Sequence, residues 1–488
     1  MCITYYMAFI RHIKRGQNIY AYLVESYRKN GKIKQRNLEY LGKVTGSKDD
    51  QKIVPPAHKR SIKSINKRGA KLLAPIFKDL KNSIISSFGK TRGEKLFYLG
   101  IIQFLNPSPL KYVEWTARDH RIEDCNLSPT SLSKLLRNIK PGELHRFFHQ
   151  LRKDNSTVVF DITSLSFYGE SINSAEYGYN RDGLHLPQIN LCVAVNTNNS
   201  PIYYRMIRGS IPDVSTVGHT MDELKSLGYS NVHLVFDRGF YSENNIKSLK
   251  GFQFTGALPK KLNLFYELVR SNLDVEHVGN VVSYRKQKIM VHEIKRGDIR
   301  YILVHNPKIK HEQQENFMEN LLEREEMIKK SLGKVTWDEL KSIMGSYKRY
   351  FSIKGNIITR RKKAIQRTVN LMGKYIIFTN ETESKWSDIL DRYRLKDMAE
   401  KAFSILKNNG FLTPIRVWSD EALQGKILAS FVFYNIYSYI MQRTEFTYNE
   451  VQRLFNEMNE VEYANGSTSF VELSKKQKKL LENIDIKL

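Results

Sequence analysis

The chain has 488 residues, 41% hydrophobic and 26% charged, an ordinary globular balance that predicts two to four domains. Its charge is not ordinary: 78 Lys and Arg against 50 Asp and Glu give +28 and a pI of about 9.7, a field that favours polyanions, nucleic acid before anionic membrane. The opening MCITYYMAF lacks a signal-peptide pattern, and Ile427 to Met441 is too short and polar-interrupted to span a bilayer. Cys2, Cys125 and Cys192 are unclustered, so a cytoplasmic protein with no membrane partner and no CxxC zinc site is expected.

Residues 7 to 45 alternate as strands around Asn30-Gly31, a hairpin signal because both residues tolerate positive φ. Arg28, Lys29, Lys32, Lys34 and Arg36 are interleaved with Tyr20, Tyr22, Tyr27 and Tyr40, which suits either DNA-backbone contact or a plain solvated meander. Ser61 to Asp154 reads as short helices, with starts at Ser128-Pro129 and Pro141-Gly142. They fit a helix–turn–helix-like DNA reader or an ordinary helical domain. His145 and His149 stand at i,i+4 without a third ligand and read as a helix face.

At Ser156 the pattern changes. STVVFDITSLSF is a buried-strand run carrying Asp161, a charge that is costly there unless paired or bound to metal. INLCVAVN and PIYYRMI follow as a hairpin, then a helix from Val214 to Leu227, then NVHLVFDRGF with Asp237 at the C-terminal end of a strand. Acidic residues at strand ends are where α/β sheets place chemistry. From Gly251 to Thr379 come alternating strands, a charged helix from Glu312 to Leu332, a helix opened by Trp337, the basic run Arg360 to Arg367 (a solvated loop or a phosphate track), and the strand GKYIIFTN. A buried helix is predicted over Leu423 to Met441, and a charged terminal helix closes the chain.

The stretch DRYRLKDMAEKAFSILKNNG, Asp391 to Gly410, is predicted as one helix. Tyr393, Glu400 and Lys407 stack on one line, Lys396 lies about 40° away, and Leu395, Met398, Ala402 and Ile405 form the opposing apolar stripe. Taken alone it is also a plain amphipathic helix with solvated charges. Two strand-end aspartates and a helix glutamate, brought to one sheet edge, would make a hard-oxygen site for one or two Mg²⁺ ions. Such a site suits in-line attack on phosphate. No GxxxxGK[ST] loop is present, and there is no GxSxG or CxxC site.

These residues resemble the DDE-type transposases of insertion sequences, of the insertion-sequence-four class. VVFDITSLSF is similar to the first-aspartate strand, YGYNRDGLHLPQINL and RGSIPDVSTV to the blocks after it, and HLVFDRGFYS to the second-aspartate strand. Tyr393, Lys396, Glu400 and Lys407 resemble the Y-x2-R-x3-E-x6-K signature, with Lys396 in place of Arg; TPIRVWSDEALQGKILASFV resembles the next block, with Lys426 where His is expected.

The resemblance implies an α/β fold: an RNase-H-like mixed-sheet catalytic core interrupted by a β-rich insertion. It divides the chain into an N-terminal β-meander (1–55), a helical DNA-binding region (56–154), core (155–250), insertion (251–380), core (381–445) and helical tail (446–488). It implies that Asp161, Asp237 and Glu400 bind two Mg²⁺ or Mn²⁺ ions and catalyse cleavage and strand transfer, while Tyr393, Lys396 and Lys407 contact DNA. The implied partners are double-stranded terminal inverted repeats and target DNA, engaged by a homodimer or higher oligomer on paired ends, in a nucleoid-associated cytoplasmic protein. Trp337 is a candidate for stacking on a flipped base, against the commoner reading as core. The alternatives are a DNA-binding protein that has lost catalysis and a structure-selective nuclease.

Overall fold

The computed structural model describes residues 8–29, 32–46, 51–56, 62–122, 125–152, 157–168, 171–178, 183–211, 213–229, 233–249, 251–355, 357–408, 412, 415, 417–464 and 466–486. The chain forms two compact units: 78–111 with 127–442, and 1–77 with 112–126 and 443–488.

The larger unit is built on a nine-stranded mixed sheet. Its strands are β1 (Thr157–Ser166), β2 (Gln188–Asn196), β3 (Pro201–Arg208), β4 (His233–Phe236), β5 (Gln253–Ala257), β6 (Val281–Tyr284), β7 (Gln287–Arg296), β8 (Ile299–His305) and β9 (Lys374–Thr379), in the spatial order β6-β7-β8-β9-β5-β4-β1-β2-β3. β1, β4 and β5 run parallel to one another, and every other pairing is antiparallel. β1 and β2 are the best covered: β2 is buried at every position, and Asp161 is the half-buried break in an otherwise buried TVVFDITSL. Continuous β-branched and apolar runs of this kind are what a strand covered on both faces requires.

The helices used below are α1 (Lys90–Leu105), α2 (Pro141–Leu151), α3 (Asp213–Ser226), α4 (Pro307–Ser331), α5 (Trp337–Met344), α6 (Trp386–Arg394), α7 (Lys396–Asn408) and α8 (Asp420–Met441). α8 is buried nearly all round and packs against α1, the helix Pro129–Leu136 and β3. It comes so close that a Cβ on Gly425 would lie 2.2 Å from the Leu136 carbonyl oxygen, and one on Gly100 would lie 2.6 Å from Val432 Cγ1. The helices Pro129–Leu136 and α2 bury Leu132, Leu135, Leu136, Phe147 and Phe148 in this same unit, with Phe148 ringed by Tyr203, Tyr204 and Phe431. Residues 56–154 therefore do not stand as one helical region: 112–126 belong to the other unit.

Residues 251–380 are likewise not set apart. Five of their strands, β5 to β9, extend the same sheet, because β5 pairs in parallel with β4 and β9 closes antiparallel on β5. The stretch between β8 and β9 makes its own cluster, with Phe317, Leu321 and Ile328 of α4 packed on Leu340, Met344, Tyr350 and Phe351. The basic run Arg360 to Arg367 is not a loop, since most of it lies in the helix Lys362–Val369.

In the smaller unit, strands Ala8–Arg15, Asn18–Lys29, Lys32–Thr45 and Lys52–Val54 form an antiparallel sheet. Lys29 pairs with Lys32; the expected hairpin turn at Asn30-Gly31 lies outside the described residues. Tyr40 packs its ring on Tyr22 (5.0 Å) and Tyr20 (6.2 Å), and Arg36 lies over Tyr27. Residues 446–488 are more than a helical tail. Asn459–Tyr463 pairs antiparallel with Ile62–Lys67, and Glu462 accepts bonds from Lys63 (2.7 Å) and Arg121 (2.5 Å). Those two bonds hold the Glu462 carboxyl down at about 2. The helix Lys475–Asn483 buries Leu480 and Leu481.

Candidate active site

The register of two parallel strands places the aspartates. Thr157, Val158 and Val159 of β1 face His233, Leu234 and Val235 of β4. Two residues beyond the last of these pairs stand Asp161 and Asp237, so the register carries the two carboxylates to one level on neighbouring chain segments. Asp237 is the first residue past β4, and the 3-10 turn Arg238–Phe240 follows it. Phe160, Phe236 and Phe240 pack beneath with ring centroids 5.0–6.2 Å apart, fixing the floor under both acids. Asp161 accepts from the Ile162 amide at 2.8 Å, and Arg238 Nε stands 3.9 Å from Asp237 Oδ1.

Residues 391–408 are not one helix. α6 ends at Arg394, Leu395 takes a turn conformation, and α7 begins at Lys396. α7 buries Ala399, Ala402, Phe403 and Leu406, and the expected stripe of Leu395, Met398, Ala402 and Ile405 shares only Ala402 with that set. At 100° per residue the buried face of α7 is centred about 70° from the expected stripe, which puts Glu400 on the flank of the packed face and not opposite it. α7 lies against β1 and β2, the strands around Asp161.

The break also separates the signature residues. Tyr393, in the last turn of α6, packs its ring on a core of Tyr284, Ile377, Ile389 and Leu390 and donates its hydroxyl to Asp237 Oδ1 at 2.9 Å. Burial, then the Asp237 charge, pushes the phenol far above its ordinary range, so it remains a proton donor. Lys396 reaches Glu400 Oε1 at 2.7 Å and Asp397 Oδ1 at 3.2 Å, with its ammonium 5.9 Å from the centre of the Tyr393 ring. Burial alone would lower the Lys396 pKa; the bond to Glu400 and the charge of Asp237 outweigh it and raise it. Lys407 is half-buried two turns beyond Glu400 on α7.

The structure thus joins Tyr393 to Asp237 and Lys396 to Glu400, and sets Asp161 beside Asp237 in the sheet. It does not gather the three carboxylates: among the described residues, no group of three His, Cys, Asp or Glu could hold a metal ion. The donors fit a hard divalent cation chemically, being carboxylate oxygens on adjacent parallel strands. Glu400, half-exposed and tied to Lys396, would have to turn toward the pair.

Other candidate residues fall elsewhere. Trp337 is half-exposed at the start of α5 and not core, with Lys341 over its ring. His145 contacts Ser226 Oγ at 3.3 Å on the α2 face, and Lys426 is buried in α8. Two cations near the acids are absent from the sequence-derived set. Arg238 neighbours Asp237, and Arg394 lies over the Tyr284 ring at 5.5 Å. The cation density of DRYRLK signals Arg394, and the DRG that follows HLVF signals Arg238.

A mixed α/β sheet with Asp161 in the middle of β1, not at its end as expected, and Asp237 just past the end of the parallel neighbour β4, flanked by tyrosine and cations, defines a candidate catalytic domain for work on polyanions. The family of the transposase DDE domain matches residues 152–436, from the start of β1 into α8, and the chain belongs to that family. Residues 10–75 match the N-terminal domain of IS1634 family transposases, over the four-stranded sheet and the strand Ile62–Lys67 of the smaller unit. The chain is an insertion-sequence transposase, and transposases of these families act on DNA. A comparison with curated proteins found no match. Among the described residues, no helix is long and apolar enough to cross a membrane.

Proposed function

We propose that this transposase cleaves DNA at the terminal inverted repeats of an insertion sequence of the four class and transfers the cut strand to target DNA, acting as an oligomer on paired ends. In this reading the core is RNase-H-like, and Asp161, Asp237 and Glu400 are the catalytic residues and the ligands of two Mg²⁺ or Mn²⁺ ions. The observation that supports it most is the shared level of Asp161 and Asp237 on β1 and β4, with the Tyr393 hydroxyl on Asp237.

Bound Mg²⁺ would supply activation of a water or 3′-hydroxyl and charge stabilisation at the leaving oxygen. The chain's own residues do the rest. Tyr393 orients the Asp237 carboxylate, and Lys396 steadies Glu400 until the third carboxylate is recruited. Lys396 and Lys407, along α7, provide cationic contacts for the phosphates of the DNA end.

Asp237→Ala and Glu400→Ala should each lower Mg²⁺-dependent cleavage of the element's terminal DNA by at least a thousandfold, with binding of that DNA retained. Cleavage at the wild-type rate by either variant would remove that residue from the catalytic set. The separation of Glu400 from the aspartates favours one second reading, a DNA-binding protein that has lost catalysis. It predicts tight binding with no cleavage by the wild type.

A further inference from the structure

Two cavities in the larger unit meet at Lys260. The nearer, about 420 Å³, is lined by Tyr393, Lys396, Arg238 and Arg394 and so opens beside Asp237. The farther, about 1140 Å³, lies between α4, the helix Asn263–Ser271 and the helix Lys362–Val369. Lys260 and Gln313 line both.

The farther cavity carries Arg270, Arg349 and Arg367 besides Lys260, and no Asp or Glu lines either cavity. Close to the acids the cations are engaged: Lys374 is paired with Glu276, and Lys396 with Glu400. In the farther cavity the partners are neutral: Arg349 donates to the Tyr350 hydroxyl and lies over that ring, and Lys260 reaches the Leu371 carbonyl. Among the described residues no carboxylate lies within ion-pair distance of Arg270, Arg349 or Arg367. Three guanidinium groups without a carboxylate partner around one cavity repel one another, and an anionic occupant relieves that repulsion. Tyr266, 44% exposed, and the stacked pair Phe317 and Tyr347 add aromatic faces, and Asn316 and Asn320 add amides. Cations that follow a backbone, with aromatic faces for bases, are what an unpaired strand needs. A space of this volume takes a few unpaired nucleotides.

We propose that the two cavities form one track for a single strand of DNA, entering beside Asp237, passing Lys260, and laying its phosphates on Arg270, Arg349 and Arg367 with a base against Tyr266. This rests on the reading of the Asp237 end as the place where a DNA strand is cut. The track gives the strand leaving that point a sequence-independent grip.

The test uses the full chain in EDTA, so that it does not depend on catalysis. Binding of a labelled 20-nucleotide thymidine strand and of a 20-base-pair duplex without terminal-repeat sequence is measured by fluorescence anisotropy across a salt series. Joint replacement Arg270→Gln, Arg349→Gln and Arg367→Gln should weaken single-strand binding at least tenfold and reduce the magnitude of its log–log salt slope by about 2, at roughly 0.7 per phosphate contact. Duplex binding should stay within twofold, which also reports an intact fold. A charge-matched control, Lys308→Gln, Lys330→Gln and Lys341→Gln, should leave both unchanged. Tyr266→Ala should weaken single-strand binding and Tyr266→Phe restore it. Unchanged single-strand binding by the arginine variant, equal loss for strand and duplex, or an equal loss in the control would overturn the track. None of these outcomes bears on whether Asp237 and Glu400 support cleavage.

Discussion

Tyr393 and Lys396 are neighbours in sequence but serve different carboxylates. The Tyr393 hydroxyl is committed to Asp237 at 2.9 Å, and its raised pKa keeps the proton on the phenol at any pH where DNA would be cut. A hydrogen bond to a charged acceptor is worth about 1.5–3 kcal/mol. Tyr393→Phe keeps the ring in its apolar seat and removes only that bond. The expected result in single-turnover cleavage is a fall of at least tenfold with DNA affinity unchanged; a loss confined to affinity would instead make Tyr393 a DNA contact. Lys396 offers a point charge where the family signature has a guanidinium fork. If it holds phosphate, Lys396→Ala should weaken binding of terminal DNA about tenfold and flatten the salt slope by about 1, whereas Lys396→Arg should retain affinity. Equal affinity for all three proteins would restrict Lys396 to its bond with Glu400.

At the scale of elements, the strands and helices that carry Asp161, Asp237 and Glu400 were legible because their patterns are local. TVVFDITSLS and HLVF are β-branched or apolar runs, and the helical spacing of 396–408 is plain. The break at Leu395 was not legible. Neither proline nor glycine marks it, and Leu395 is a good helix former, so propensity is overridden by packing: α6 seats Ile389 and Leu390 on β9 and its neighbours, while α7 turns onto β1 and β2. The same limit applies to α8, whose apolar length announces a buried helix while its closest approaches depend on partners hundreds of residues away. Gly425 shows the consequence, because an added methyl would meet the Leu136 carbonyl at 2.2 Å, with backbone on both sides unable to yield cheaply. Gly425→Ala should cost about 1–3 kcal/mol in chemical denaturation. Gly142→Ala, where nothing lies within 4 Å of the added carbon, should cost nothing measurable. Equal stability of the two variants would mean that α8 shifts to accommodate the methyl.

For the whole molecule, the pairings that matter most span the sequence. The strand Asn459–Tyr463 sits between Thr468–Phe470 and Ile62–Lys67, and Arg68 pairs with Glu460 at 2.5 Å. No local signal discloses a partner some 400 residues away, so a charged C-terminal stretch reads as a tail when it is in fact a central strand of a small sheet. Removing it therefore strips structure from the other end of the chain. A protein ending at Gln442 loses the antiparallel partner of Ile62–Lys67 and the carboxylates that Lys63, Arg68 and Arg121 hold. It also loses the apolar cover of Val451, Leu454, Phe455, Leu480 and Leu481. Hydrogen exchange on that truncated protein should show the amides of residues 62–67 unprotected. The strands around Asp161 and Asp237, whose pairings all lie within 78–442, should exchange as slowly as in the full chain. Retained protection at 62–67 would show that the N-terminal strands fold without the end of the chain. Lost protection at β1 and β4 as well would show that the nine-stranded sheet depends on more than its own residues.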